Sequence, residues 1–181
     1  PPVWLAPPSR DNRQHGELLV TAATNNTLID CRWLAGNTAL RFDEALRFTG
    51  GSDTAFFYRL TDLGGSLKWV GNASVVETVP TARLTMRWQL NRKARIQANN
   101  VRCLRERKGR TAATLKHLPV SVRHLFKALP YLIAGALYAP INRRLSLRIC
   151  YLGLKYGARA IGAFRGLIGW QLQPYRQIEG N

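Results

Sequence analysis

The sequence predicts an α/β class chain whose sheet portion is incomplete and which ends in an α-helical, membrane-associated tail. Three observations predict it. Short apolar runs bounded by turn formers give a strand, helix, strand, strand order before Pro80, too few strands for a complete sheet. Charge divides at the same place. The chain of 181 residues carries 27 Lys and Arg against 10 Asp and Glu, a net charge of +17. Residues 1–79 hold eight acids and seven bases, whereas residues 80–181 hold the other 20 bases with only Glu106 and Glu179. All the excess positive charge therefore lies past Pro80, and such asymmetry points to an anionic partner, either membrane or nucleic acid. Third, residues 128–141 and 145–172 are rich in large apolar side chains. The expected divisions are residues 1–80, a basic amphipathic helix over 81–110, and an apolar and basic helical region over 111–181.

Taken in order, residues 1–16 contain four prolines and read as loop. Residues 17–23 (ELLVTAA) read as a buried strand leading into Thr24, Asn25 and Asn26, whose side chains favour turns and can contact a ligand. A short helical piece follows over residues 30–34. Gly50 and Gly51 precede Ser52, expected as a helix N-cap, and Asp53 in the first turn. Phe56, Leu60 and Leu63 then recur at helical spacing until Gly64 and Gly65 stop the helix. Residues 67–70 and 74–78 read as two strands about a Gly71-Asn72 turn. From residue 83 to about 110 the pattern is helical and basic.

Residues 128–141 are uncharged but short, and Pro130 and Pro140 interrupt them; a straight spanning helix needs about 20 apolar residues. In residues 145–172 the bases Arg148, Lys155 and Arg159 fall, with Arg144, in one narrow helical stripe opposite Leu, Ile, Tyr and Phe. That pattern predicts a monotopic helix lying in the membrane interface.

Few residues offer chemistry. Asp53, opening a helix after two glycines, suits a general base that takes a proton from a hydroxyl; equally, it suits helix stabilisation alone. Asp43-Glu44 reads as a solvated turn, and Glu77 as a partner for Arg83 or Arg87. His15, His117 and His124 read as isolated surface or linker residues. The sequence holds no HExxH, GxSxG, GxxxxGK[ST] or GxGxxG pattern. Cys31, Cys103 and Cys150 are odd in number and form no CxxC pair, which argues against a disulfide framework or zinc ribbon and fits a reducing compartment. The chain opens on Pro1-Pro2 and has Met86 as its sole methionine, so it reads as a piece of a longer sequence.

The run Thr24-Asn25-Asn26-Thr27-Leu28-Ile29, then Arg41-Phe42-Asp43-Glu44, then Gly50-Gly51-Ser52-Asp53-Thr54-Ala55-Phe56-Phe57-Tyr58-Arg59-Leu60, resembles the second half of a family 2 glycosyltransferase of the GT-A (Rossmann-like) fold. The likeness continues through Gly65, Trp69, Ala73, Val75 and Glu77 to residues 79–88, Arg92 and Arg95, and is nearest the bacterial exopolysaccharide glucosyltransferases of the succinoglycan type. It implies an inverting transferase in which Asp53 deprotonates an acceptor sugar hydroxyl. Ser52 stands where the family's acidic pair usually has Glu, and Thr78 where relatives often have His.

The resemblance further implies that Thr24, Asn25, Asn26 and Glu77 bind substrate. Trp88, Arg92 and Arg95 would meet the diphosphate of a nucleotide-sugar donor or of a polyprenyl-diphosphate-linked oligosaccharide acceptor. A donor-binding segment, with a DxD motif holding Mg or Mn, would precede Pro1, and the chain alone would be inactive. Anionic lipids would be partners, nucleic acid would not, and the site of action would be the cytoplasmic face of a bacterial inner membrane. A different class stays open: a small basic protein without catalysis that binds membrane or nucleic acid. A third is a membrane protein that oligomerises through Gly153-x3-Gly157 and Gly162-x3-Gly166.

Overall fold

The computed structural model describes residues 2, 4, 5, 12–35 and 40–170. They divide into two units, one of residues 12–35 and 40–78, the other of residues 79–170 with 2, 4 and 5.

The first unit holds one α-helix, α1 (Ser52–Asp62), and two strands, β1 (Leu18–Leu19) and β2 (Leu67–Lys68). The strands are antiparallel, with Leu18 opposite Lys68 and Leu19 opposite Leu67. Bonds from Trp69 N to the Glu17 carbonyl and from Gly16 N to the Trp69 carbonyl, each 2.8 Å, prolong the ladder slightly. Beneath it Leu40, Phe56, Phe57 and Leu60 form a small core, with Ala22, Ile29, Trp33 and Leu67 packed against it. The Phe56 ring stacks on Phe42 at 4.5 Å and meets Phe57 edge-on at 5.3 Å. Two Phe side chains with no exposure supply most of the apolar burial that holds α1 in place.

The expected α/β sheet layer of GT-A type is not formed. Among the described residues the sheet has two strands of two residues each, and the chain is mostly helical. The expected Gly71-Asn72 hairpin fails because β2 pairs with β1 instead, leaving residues 74–78 outside any strand with Val75 and Val76 exposed. A strand-like run without a partner strand satisfies no ladder bonds. Ser52 is likewise not the N-cap. Gly51 takes that position at φ 89°, a conformation that glycine adopts without steric cost, so Ser52 and Asp53 both fall in the first turn.

The second unit is helical. Thr85 caps α2 (Met86–Tyr138), its Oγ1 accepting from Trp88 N at 3.3 Å. Helix α2 runs through Pro119 and Pro130, so Pro130 does not break it as expected, but it is interrupted at Gly109, where φ 84° and ψ 167° are not helical. There the chain folds back. Gln97 Nε2 meets His117 Nδ1 at 3.5 Å, whereas 20 residues of continuous helix would separate them by about 30 Å. Asn142 caps α3 (Arg143–Ile168) through Leu145 N, and Gly169 ends it, with Trp170 N donating to the Arg165 carbonyl at 2.9 Å.

Helix α3 packs on both arms of α2. A Cβ placed on Gly162 or Gly166 would strike Ala94 or Val101 of the first arm; one on Gly153 would strike Ala128 and Leu132 of the second. Ser146 Oγ donates to the buried Gly135 carbonyl at 2.6 Å. The result is a three-segment helical bundle whose contacts are made by small residues: Ala94, Ala113, Ser121, Ala128, Ala160, Gly162, Ala163 and Gly166 are all buried. Of the four glycines in the two Gly-x3-Gly spacings, Gly153, Gly162 and Gly166 are thus used within the chain, and Gly157 faces open space.

Large apolar side chains point the other way. Val101, Ala113 and Ala163 are fully buried, while Leu115 is 73% exposed, Phe126 76% and Leu137 69%. With Val122, Leu129 and Ile133 these make one outward stripe along the second arm of α2. On α3, Leu147, Leu154, Ile161 and Ile168 recur every seven residues and are also exposed. Leu132 and Gly153, next in sequence to Ile133 and Leu154 of these stripes, pack on one another. No helix among the described residues is long and apolar enough to cross a membrane.

These contacts predict opposite effects at two glycines. Gly162→Ala should lower stability by about 1–3 kcal/mol through overpacking against Ala94, and Gly157→Ala should raise it by about 0.5–1 kcal/mol. Denaturant titration followed by circular dichroism measures both; equal effects would contradict this packing.

Candidate functional site

In the first unit, α1 presents Asp53 in its opening turn. The residue is half-buried, and its Oδ1 accepts from Thr54 N at 2.8 Å. The unpaired N–H groups of a first helical turn favour the charged carboxylate. That placement suits a base able to accept one hydroxyl proton.

Thr24, Asn25 and Asn26 form a 3₁₀ turn, closed by a bond from Thr27 Oγ1 to the Ala23 carbonyl at 2.7 Å. The amides were expected to bind substrate; in this unit they also hold the chain. Asn26 Nδ2 donates to the Ala73 carbonyl at 2.8 Å, and Asn25 Nδ2 to Glu77 Oε2 at 3.5 Å. Thr24, Asn25, Asn26 and Glu77 are thus brought together, all four exposed. Nearby in sequence, Arg32 grips Asp30 and holds its carboxyl down at about 2.

Trp88, Arg92 and Arg95 belong to the second unit, on the first arm of α2. Arg92 lies over the Trp88 ring at 5.6 Å and Arg83 at 5.8 Å, so the indole carries two guanidinium groups. Arg92 is exposed and Arg95 half-buried.

A further group was not legible as a site. Lys93, His124, Lys155 and Arg159, from three helical segments, are half-buried; the His124 ring meets Tyr156 at 5.5 Å, and Lys155 Nζ lies 5.9 Å from the Tyr151 ring. Burial lowers the Lys93 ammonium pKa, and Lys155, Arg159 and Arg92 lower it further. Burial also lowers that of His124, with Arg159, Arg123 and Lys127 adding to the effect. The sequence gives one signal of this: Lys155 and Arg159 lie one turn apart. His124, expected at the surface or in a linker, lies in a helix.

Among the described residues no three His, Cys, Asp or Glu side chains gather closely enough to hold a metal ion. Comparison with protein-family models, curated proteins and solved structures finds no match.

Because Asn26 fastens the 24–26 turn to residue 73, Asn26→Ala should speed amide hydrogen exchange across residues 73–77 while leaving the helical circular dichroism signal unchanged. Unaltered protection there would show that this bond does not hold the segment.

Proposed function

We propose that the chain works at a membrane surface in sugar transfer, as part of a glycosyltransferase that moves a sugar from a nucleotide-sugar donor to a lipid-linked or glycan acceptor. The observation that carries the membrane reading is the outward stripe of Leu115, Val122, Phe126, Leu129, Ile133 and Leu137 on a bundle packed through small residues. Helices that associate in lipid pack in this way, small residues inward and large apolar residues outward. Arg123, Lys127, Arg144 and Arg148, all exposed, supply positive charge for anionic headgroups, each worth about 1 kcal/mol near such a surface. Without a helix able to span, the bundle would lie in the interface, monotopic or peripheral. The cytoplasmic face of a bacterial inner membrane offers both anionic lipid and nucleotide sugars.

The catalytic part rests on Asp53 and on the sequence likeness of residues 24–95. In this reading the Asp53 carboxylate takes the proton of an acceptor hydroxyl as the oxygen attacks the anomeric carbon with inversion. Thr24, Asn25, Asn26 and Glu77, in the unit that carries Asp53, border the acceptor; the sequence likeness alone assigns the diphosphate oxygens to Trp88, Arg92 and Arg95. The divalent metal that the likeness implies has no donor set among the described residues, and the step assigned to Asp53 does not involve it.

Two measurements test the parts separately. Phe126→Asp should weaken partition onto anionic vesicles by about tenfold or more, given about 1.5–3 kcal/mol for burying such a side chain. Unchanged partition would remove this surface from the account. Asp53→Asn, made in the complete enzyme with its donor-binding segment, should lower sugar transfer to a lipid-linked acceptor by about 100-fold or more. Activity near that of the unsubstituted enzyme would leave a membrane-binding protein without this catalytic residue.

A further inference from the structure

The helices of the second unit approach so closely that charged side chains are forced together between them. Lys93 adjoins Ala94, whose carbonyl lies against Gly162; Arg159 stands one turn before Gly162 on α3, and Lys155 one turn before that. From the second arm of α2, the His124 ring reaches Tyr156 at 5.5 Å and Lys127 Nζ at 5.9 Å, with Tyr131 stacked on the same ring at 5.7 Å. Counter-charge is missing. Glu106 is the sole acid among the described residues of this unit, and it pairs with Arg102. His124 Nδ1 is out of contact with water and has no hydrogen-bond partner among the described residues. Half-buried cations repel one another and lose hydration, a cost that an anion bound between them would relieve.

We propose that Lys93, His124, Lys155 and Arg159, half-buried on three helical segments, with Lys127 at the exposed edge over Tyr156, form a binding site for a phosphate or diphosphate group. Arg159 offers a planar fork for two phosphate oxygens, and the lysines offer point charges from different helical segments. His124 Nδ1, without a partner among the described residues, can donate to an anion when it carries a proton. A spread of donors over three segments suits the several oxygens of a diphosphate better than a single carboxylate. The group has two possible sources, a lipid headgroup held at the bilayer or a free pyrophosphate. The site stands whether or not Asp53 is a base, so transfer activity does not decide it.

Calorimetric titration of the full chain with inorganic pyrophosphate, and sedimentation with phosphatidylcholine vesicles with and without phosphatidate, would test this. Saturable binding is expected, weakened about tenfold or more by Arg159→Gln or Lys155→Gln and unaffected by Arg110→Gln, an exposed control. Response to pyrophosphate would identify a soluble source, and response to phosphatidate alone a headgroup; both support the site. Thermal melts guard against misfolding: without anion Arg159→Gln should melt higher, because repulsion is relieved, yet gain nothing from added anion. Absence of binding to either probe would overturn the proposal. So would equal weakening by all three substitutions, which marks a general effect of net charge.

Discussion

The contact between the Ala94 backbone and Gly162 sets the terms for the second unit. Nothing larger than hydrogen fits at residue 162, so α3 lies against the first arm of α2 at backbone distance. Gly166 against Val101 and Gly153 against Ala128 extend the same approach in both directions. An interior filled by Ala, Gly and Ser buries little apolar area per residue, and the large apolar side chains are left outside. In water such an arrangement wastes the hydrophobic effect. In a lipid interface the outer side chains are solvated by acyl chains, and close backbone packing with the Ser146–Gly135 bond holds the helices together.

The first unit obeys a different constraint. Its few buried side chains centre on Phe56 and Phe57, and these fix α1. Because Gly51 ends the preceding loop in a left-handed conformation, α1 begins with Ser52 and Asp53, and the acid is placed at the positive end of the helix. Asn25 and Asn26 then hold the 24–26 turn to residues 73–77, where strand pairing is absent. Side-chain amides do there what a ladder would do in a larger sheet.

Local signals were legible in the sequence where local forces decide. The Phe56, Leu60 spacing and the Gly64-Gly65 stop mark α1 to within a residue, and Asp30 before residues 31–34 marks a capped 3₁₀ turn. The helical character of residues 86–108 and 145–168 was legible from their pattern. Strand pairing was not, because the β-branched residues of 74–78 state a preference but name no partner, and β2 found β1 instead. Nor was the fold-back at Gly109, since one glycine in a basic run looks like a tolerated interruption. For the same reason the meeting of Lys93 with Arg159 was hidden: it depends on which arm of α2 lies beside α3. Proline misled in the other direction, as Pro119 and Pro130 sit within α2.

The central claim is that the face bearing Leu129 and Leu154 lies in lipid. Nitroxide labels at Leu129→Cys, Leu154→Cys and Lys116→Cys, with exposed Cys31 changed to Ser, would report depth on anionic vesicles through relaxation by oxygen and by a water-soluble nickel chelate. The account predicts that labels at 129 and 154 relax mainly through oxygen and the label at 116 mainly through nickel. Equal nickel access at all three positions would contradict it.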